Sequence, residues 1–201
     1  MRSREGCPWD RDQTHKSLVW HAVEEVYELM DAVEAGDDHE MAEELGDLLL
    51  QVVFHCQMAK ERKAFSFEKV ARHITDKLIR RHPHVFGTLK VKDVDQVWAN
   101  WEKIKKAEKH GTRHARRSAL DGIPKRLPAL LGAEKLIKKA KRAKLLADER
   151  ARRGPDRGQL AKRLFELAHY AQSKGWNAEA LLRRETLRRE RALRRREASA
   201  V

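Results

Sequence analysis

Residues 21–50 contain eleven Asp or Glu and not one Lys or Arg, while apolar side chains recur through them at three- and four-residue steps. Val23, Val26, Tyr27, Met30 and Val33 carry the first half of this pattern. Met41, Leu45, Leu48, Leu49, Val52, Val53 and Cys56 continue it beyond Gly36-Asp37-Asp38. A period near 3.6 residues fits an amphipathic helix and not a strand. Two helices are therefore expected, from about Thr14 to Ala35 and from about His39 to Lys60, the second with an apolar face wide enough to be buried on most sides. The short link between them makes an antiparallel hairpin. On the first helix Glu24, Glu25 and Glu28 project from adjoining parts of one face, and on the second Glu40, Glu44 and Asp47 stack in the same way. Like charges at such spacing cost an isolated helix about 0.2–0.5 kcal/mol per pair, so something has to compensate them.

A solvated acidic face is one account of these stripes. It fits Asp47 poorly, because Leu45, Leu48 and Leu49 around it are expected to face a core and to leave its carboxylate at least half buried. A buried, unpaired carboxylate costs several kcal/mol or takes up a proton, and the stretch offers no Lys or Arg to pair with it. A hard cation resolves the conflict. Oxygen ligands on two facing helices, with no Cys among them, select Mg²⁺, with Mn²⁺ as a substitute, over zinc. Magnesium takes a few carboxylates together with water and phosphate oxygens, which points to a nucleotide polyphosphate as the other half of the site.

The rest of the chain supplies groups suited to such a ligand. A third helix is expected after Ser66 and ends at His82-Pro83-His84, where proline disfavours helical geometry in the residue before it. A fourth starts near Asp93, with Gln96 three residues on in a capping-box-like pattern. Lys77 and Arg81 are one turn apart on the third helix, as are Trp101 and Lys105 on the fourth. Ordinary surface charges and core tryptophans are the alternative for these four. Residues 6–14 read as an ordered loop leading into the first helix, in which Trp9 packs under the bundle, with stacking on a base as the alternative. Cys7 reads as a loop residue and Cys56 as a core residue, with neither disulfide nor zinc spacing. Gly and Pro are sparse, aromatics make up only 6% of the chain, and no strand pattern is present, so the fold class is all-α. No apolar run reaches the roughly 18 residues of a membrane span, and no signal-peptide pattern opens the chain; the expected location is cytoplasmic.

Five segments in this order and spacing resemble the MazG family of nucleoside triphosphate pyrophosphohydrolases. They are Cys7-Pro8-Trp9-Asp10, Glu24-Glu25-Val26-Tyr27-Glu28, Glu44-Leu45-Gly46-Asp47, Arg80-Arg81-His82-Pro83-His84-Val85-Phe86 and Trp101-Glu102-Lys103-Ile104-Lys105. The resemblance implies a MazG-like helical bundle built on the antiparallel hairpin and made of four helices. It also implies a homodimer, and hydrolysis of a nucleoside triphosphate to the monophosphate and pyrophosphate. Carried over residue by residue, Glu25, Glu28, Glu44 and Asp47 hold Mg²⁺, Glu24 orients or deprotonates the attacking water, and Lys77, Arg81, Trp101 and Lys105 contact the nucleotide.

Beyond Gly122, Pro124 and Pro128 the character changes. A basic helix is expected from about Ala129 to Arg152, a break at Gly154-Pro155, and helices over about 159–173 and 177–198. Leu160-Ala161-Lys162-Arg163-Leu164-Phe165-Glu166 repeats most apolar positions of residues 45–51 at a constant offset of 115 residues, yet Gln159 and Lys162 stand where Glu44 and Asp47 would be. We therefore divide the chain into a MazG-type domain over residues 1–120 and a basic helical extension over residues 121–201, the degenerate remnant of a second copy. The net charge of +13 is unevenly spread: residues 183–196 hold eight Arg against two Glu. A rival reading makes the protein a nucleic-acid-binding or regulatory module that uses this Arg-rich helix, with the bundle as scaffold.

Overall fold

The computed structural model describes residues 1–109, 111–112, 115, 117–146 and 154–199. All regular structure among them is helical: α1 (Pro8–Asp12), α2 (Val19–Ala35), α3 (Asp38–Glu61), α4 (Phe67–Arg81), α5 (Pro83–Phe86), α6 (Val94–Lys109), α7 (Ala129–Arg142), α8 (Arg157–Ser173) and α9 (Ala178–Ser199). They fall into two compact units, Met1–Trp101 and Glu102–Val201, whose boundary lies within α6 and so ahead of the proline-marked joint.

In the first unit, α2 and α3 pack along their lengths as the expected hairpin. Two residues make the turn. Gly36 takes the left-handed conformation (φ 69°) that closes α2, with Asp37 N–H donating to the Ala32 carbonyl at 3.1 Å. Only glycine adopts that geometry without a steric penalty. Asp37 then caps α3, its carboxylate accepting from the backbone of His39 and Glu40 at 3.0 and 3.2 Å. The start of α2 is later than the sequence pattern suggests. Thr14 N–H donates to Ser17 Oγ at 2.9 Å and Ser17 N–H to Thr14 Oγ1 at 3.1 Å; these hydroxyls capture backbone groups and hold residues 14–18 as a turn. The third and fourth helices form as expected, with α4 following Ser66 and α6 following Asp93, whose carboxylate accepts from Gln96 N–H at 2.8 Å.

The interior of this unit is small: Leu18, Phe54 and Met58 form its buried cluster. Arg2 ties the N-terminal segment to it. Its guanidinium lies 5.8 Å from the Phe54 ring centroid, pairs with Glu61 at 2.8 Å and donates to the carbonyls of Asp10 and Gln13. Residues 8–12, expected as a loop, are helical because Pro8 at the first turn is already set for helical φ. That turn directs Asp10 inward and Trp9 outward, so Trp9 does not pack under the bundle. It is 54% exposed and sits edge-on to His21 at 6.0 Å. Cys7 is exposed and Cys56 buried, both as free thiols, as expected.

The apolar face of α3 is less covered than its width suggests. Leu45, Leu49 and Val53 are each about half exposed, as are Tyr27, Met30 and Val33 on α2. The reason is geometric: among the described helices only α2 runs along α3, while α4 touches α3 briefly.

In the second unit α7 packs on α9 around Leu120, Leu136, Ala140 and Leu193. Glu179 of α9 caps α7 from outside, its carboxylate accepting from Ala129 N–H at 2.8 Å, where an anion is favoured by the helix dipole. Glu197 likewise accepts from Ala119 N–H at 2.7 Å, and Arg194 pairs with Asp121 at 2.7 Å. The basic helix ends at Arg142, earlier than expected. Lys144 adopts φ 58° and Leu145 N–H donates to the Ala140 carbonyl at 2.9 Å, a closing motif that turns Leu145 back onto the core. The expected continuation over residues 147–152 lies outside the described residues. Asp156 and Gln159 form a reciprocal capping box for α8.

Candidate metal centre

Two helices bring three carboxylates together. Glu25 and Glu28 lie one turn apart on α2, Glu44 faces them from α3, and one oxygen from each lies within 4.8 Å of the others. Asp47, one turn beyond Glu44, is partly buried, and its charge acts on both Glu28 and Glu44. The stack expected on α3 divides at its first member: Glu40 groups with the exposed His39 and Glu43 at the start of the helix.

Crowding of like charges shows in the acid–base balance. Glu28 titrates above the ordinary glutamate range, first because it is partly withdrawn from water, then through the charges of Glu25 and Glu24, a hydrogen bond with Glu25, and the charge of Asp47. Glu44 is raised by loss of water, then by Glu28, Asp47, Glu25 and Glu40. Glu44 Oε2 is buried with no hydrogen-bond partner among the described residues. Such an atom costs free energy unless something positive meets it. An oxygen donor set that is crowded, anionic and short of partners fits a hard divalent cation.

Gln51, absent from the sequence-derived set, belongs to this group. It is buried, and its Nε2 donates to Glu25 Oε1 at 3.2 Å while its Oε1 has no hydrogen-bond partner among the described residues. Its position was readable: it lies four residues after Asp47 and seven after Glu44, on the same face of α3. Glu24 stands at the edge of the group, its side chain 66% exposed and 3.7 Å from His21 Nδ1.

The predicted phosphate and base contacts sit elsewhere in the chain. Lys77 is exposed on α4, and Arg81 is half-buried at the last turn of that helix. Trp101 meets the end of α4 through His82, edge to face at 5.0 Å, and stands 5.2 Å from Trp98. Lys105 belongs to the second unit, where it pairs with Glu102 at 3.1 Å.

The raised carboxylates set a pH dependence. Because the folded chain holds protons at Glu28 and Glu44 more tightly than the unfolded chain, stability is greatest at and below the ordinary glutamate range and falls as pH rises through the raised pKa values. Metal-free protein is expected to melt lower near about pH 7.5 than near about pH 5, and the Glu44→Gln variant to show a smaller gap. An unchanged gap in that variant would remove the carboxylate cluster as its origin.

The MazG nucleotide pyrophosphohydrolase domain matches residues 13–86, which span α2, α3 and α4 and hence all of the acidic group. The chain is 46% identical over 134 residues to the nucleoside triphosphate pyrophosphohydrolase of Escherichia coli K12, covering 67% of this chain and 50% of that protein. It is 46% identical over 140 residues to the nucleoside triphosphate pyrophosphohydrolase/pyrophosphatase MazG of Thermotoga maritima, covering 70% and 52%. The chain thus spans about half the length of these curated relatives. With an uncharacterized 26.1 kDa protein of Streptomyces cacaoi the match is longer, 42% identical over 185 residues, 90% of this chain and 73% of that one. The helical hairpin, its converging carboxylates and these matches agree: the chain belongs to the MazG family.

Proposed function

We propose that the protein hydrolyses nucleoside triphosphates to the monophosphate and pyrophosphate with Mg²⁺ as cofactor, in the cytoplasm, where it clears nucleotides from the pool. The observation that carries this reading is the convergence of Glu25, Glu28 and Glu44 around a buried Glu44 oxygen without a partner among the described residues. The pyrophosphohydrolase relatives supply the reaction type. Glu25, Glu28, Glu44 and Asp47 hold the cation, and Gln51 fixes the Glu25 carboxylate. When bound, the metal polarises phosphoryl oxygens and acidifies water. Glu24, exposed beside the cluster, orients the attacking water and accepts its proton. Lys77 and Arg81 neutralise charge on the departing pyrophosphate, and Trp101 lends the base an aromatic surface.

The second half of the chain is read as a remnant copy without chemistry. Gln159 is engaged in capping α8 and Lys162 lies 3.9 Å from Glu166 on an exposed face, so α8 has no acids at the positions matching Glu44 and Asp47. The half-exposed apolar side chains of α2 and α3 support a homodimer that covers them. Light scattering is expected to report about twice the 23.4 kDa of one chain, and Leu49→Arg to return it to monomer; a monomeric parent would dismiss the dimer.

The decisive experiment incubates the protein with Mg²⁺ and a panel of nucleoside triphosphates and separates pyrophosphate from orthophosphate. Pyrophosphate with the monophosphate is the expected outcome. Orthophosphate as the first product would rule out attack at the α-phosphate.

A further inference from the structure

The two units carry opposite charge. Residues 1–101 hold 14 Lys or Arg against 19 Asp or Glu, whereas residues 102–201 hold 30 against 12, a formal excess of 18 positive charges. Nothing in the proposed hydrolysis uses most of them. The structure sorts the arginines of α9 into two sets. Arg183 and Arg194 turn inward: Arg183 donates to the carbonyls of Lys125 and Leu127 at 2.8 and 2.9 Å, and Arg194 holds Asp121. Arg184, Arg188, Arg191 and Arg195 follow one another at steps of four, three and four residues, and all four are exposed. They make a single stripe roughly 16 Å long. Among the described residues, only Arg188 of these is paired, with Glu185 at 2.7 Å.

Aromatic surface accompanies this charge. Tyr170 at the end of α8 and Trp176 just before α9 are both more than half exposed, with their rings 6.1 Å apart, and Lys174 lies 5.7 Å from the Tyr170 ring. An arginine track for phosphates together with open aromatic faces for bases in the same unit is the combination that binds single strands without reading their sequence. A lipid surface suits the helix less well, because Leu193, on the side an amphipathic helix would bury in a bilayer, is packed against Leu120, Leu136 and Ala140.

We propose that the second unit binds single-stranded nucleic acid, with the phosphate backbone along Arg184, Arg188, Arg191 and Arg195 and bases stacked on Tyr170 and Trp176. The site is independent of the acidic group and needs no magnesium.

The test uses the full chain in EDTA, so that nucleotide hydrolysis plays no part. Fluorescence anisotropy follows binding to labelled single-stranded RNA, single-stranded DNA, duplex DNA and anionic phospholipid vesicles between 50 and 200 mM salt. Both single strands are expected to bind more tightly than duplex or vesicles, and a stronger RNA arm would identify the natural ligand as RNA. Replacing all four stripe arginines by Gln is expected to weaken binding at least about a hundredfold and to flatten the slope of log K against log salt by about 3, near 0.7 per lost contact. Trp176→Ala is expected to weaken it about tenfold with the slope unchanged; this variant tests the proposal even if the quadruple variant loses helicity by circular dichroism. Preference for vesicles or duplex, no binding to single strands, or equal affinity of parent and folded variants would overturn it.

Discussion

Glu44→Gln and Asp47→Asn are each expected to lower magnesium-dependent pyrophosphate release by at least about a hundredfold, since each would remove a charged oxygen from the inner shell of the proposed cation while keeping side-chain volume. The loss is expected with the fold intact. Glu44 titrates high because it is partly withdrawn from water and crowded by Glu28, Asp47 and Glu25, so neutralising it relieves repulsion in the metal-free protein. A variant that is inactive, folded and no less stable without metal separates loss of cation binding from loss of structure. Gln51→Leu provides a graded comparison: it removes the amide that holds Glu25 at 3.2 Å and would act on the proposed cation only through that carboxylate. Activity within threefold of the parent in both Glu44→Gln and Asp47→Asn would detach these residues from the chemistry.

Phe54→Ala is expected to destabilise the first unit by about 3 kcal/mol, the lower end for a buried phenylalanine. Phe54 is one of three side chains in the buried cluster, and its loss leaves Leu18 and Met58 facing a cavity. It also removes the ring under the Arg2 guanidinium, 5.8 Å from its centroid, loosening the N-terminal segment. Urea denaturation followed by circular dichroism measures the change. The transition of the second unit, whose core is Leu120, Leu136, Ala140 and Leu193, should not move. A loss below about 1 kcal/mol would mean that Phe54 sits at an open edge rather than in a closed interior.

Much of this architecture was legible because helices are local. The 3.6-residue recurrence in residues 21–60 marked α2 and α3, Gly36 marked the turn, and Pro83 marked the end of α4. The caps at Asp37, Asp93 and Asp156 follow from side-chain chemistry within three residues of each helix start. The places where expectation and structure part are those governed by longer reach. Trp9 was expected inside, yet the partner that orders its segment is Arg2, which grips Glu61 from 59 residues away. The basic helix was expected to run on past Arg142, but a left-handed Lys144 turns Leu145 into a core shared with Leu193.

The acidic stripes were set by sequence alone. The spacing of Glu24, Glu25 and Glu28, and of Glu44 and Asp47, puts them on helix faces whatever surrounds them, because that spacing is the helical period itself. Which of those acids meet was a tertiary matter. The hairpin register places Glu44 against Glu25 and Glu28 and leaves Glu40 with His39 and Glu43. It also draws in Gln51, a residue with no charge to announce it. The division of α9 into inward and outward arginines was decided in the same way. Eight arginines look alike in sequence, and only the packing of Leu193 on α7 determines which of them satisfy the chain and which face solvent.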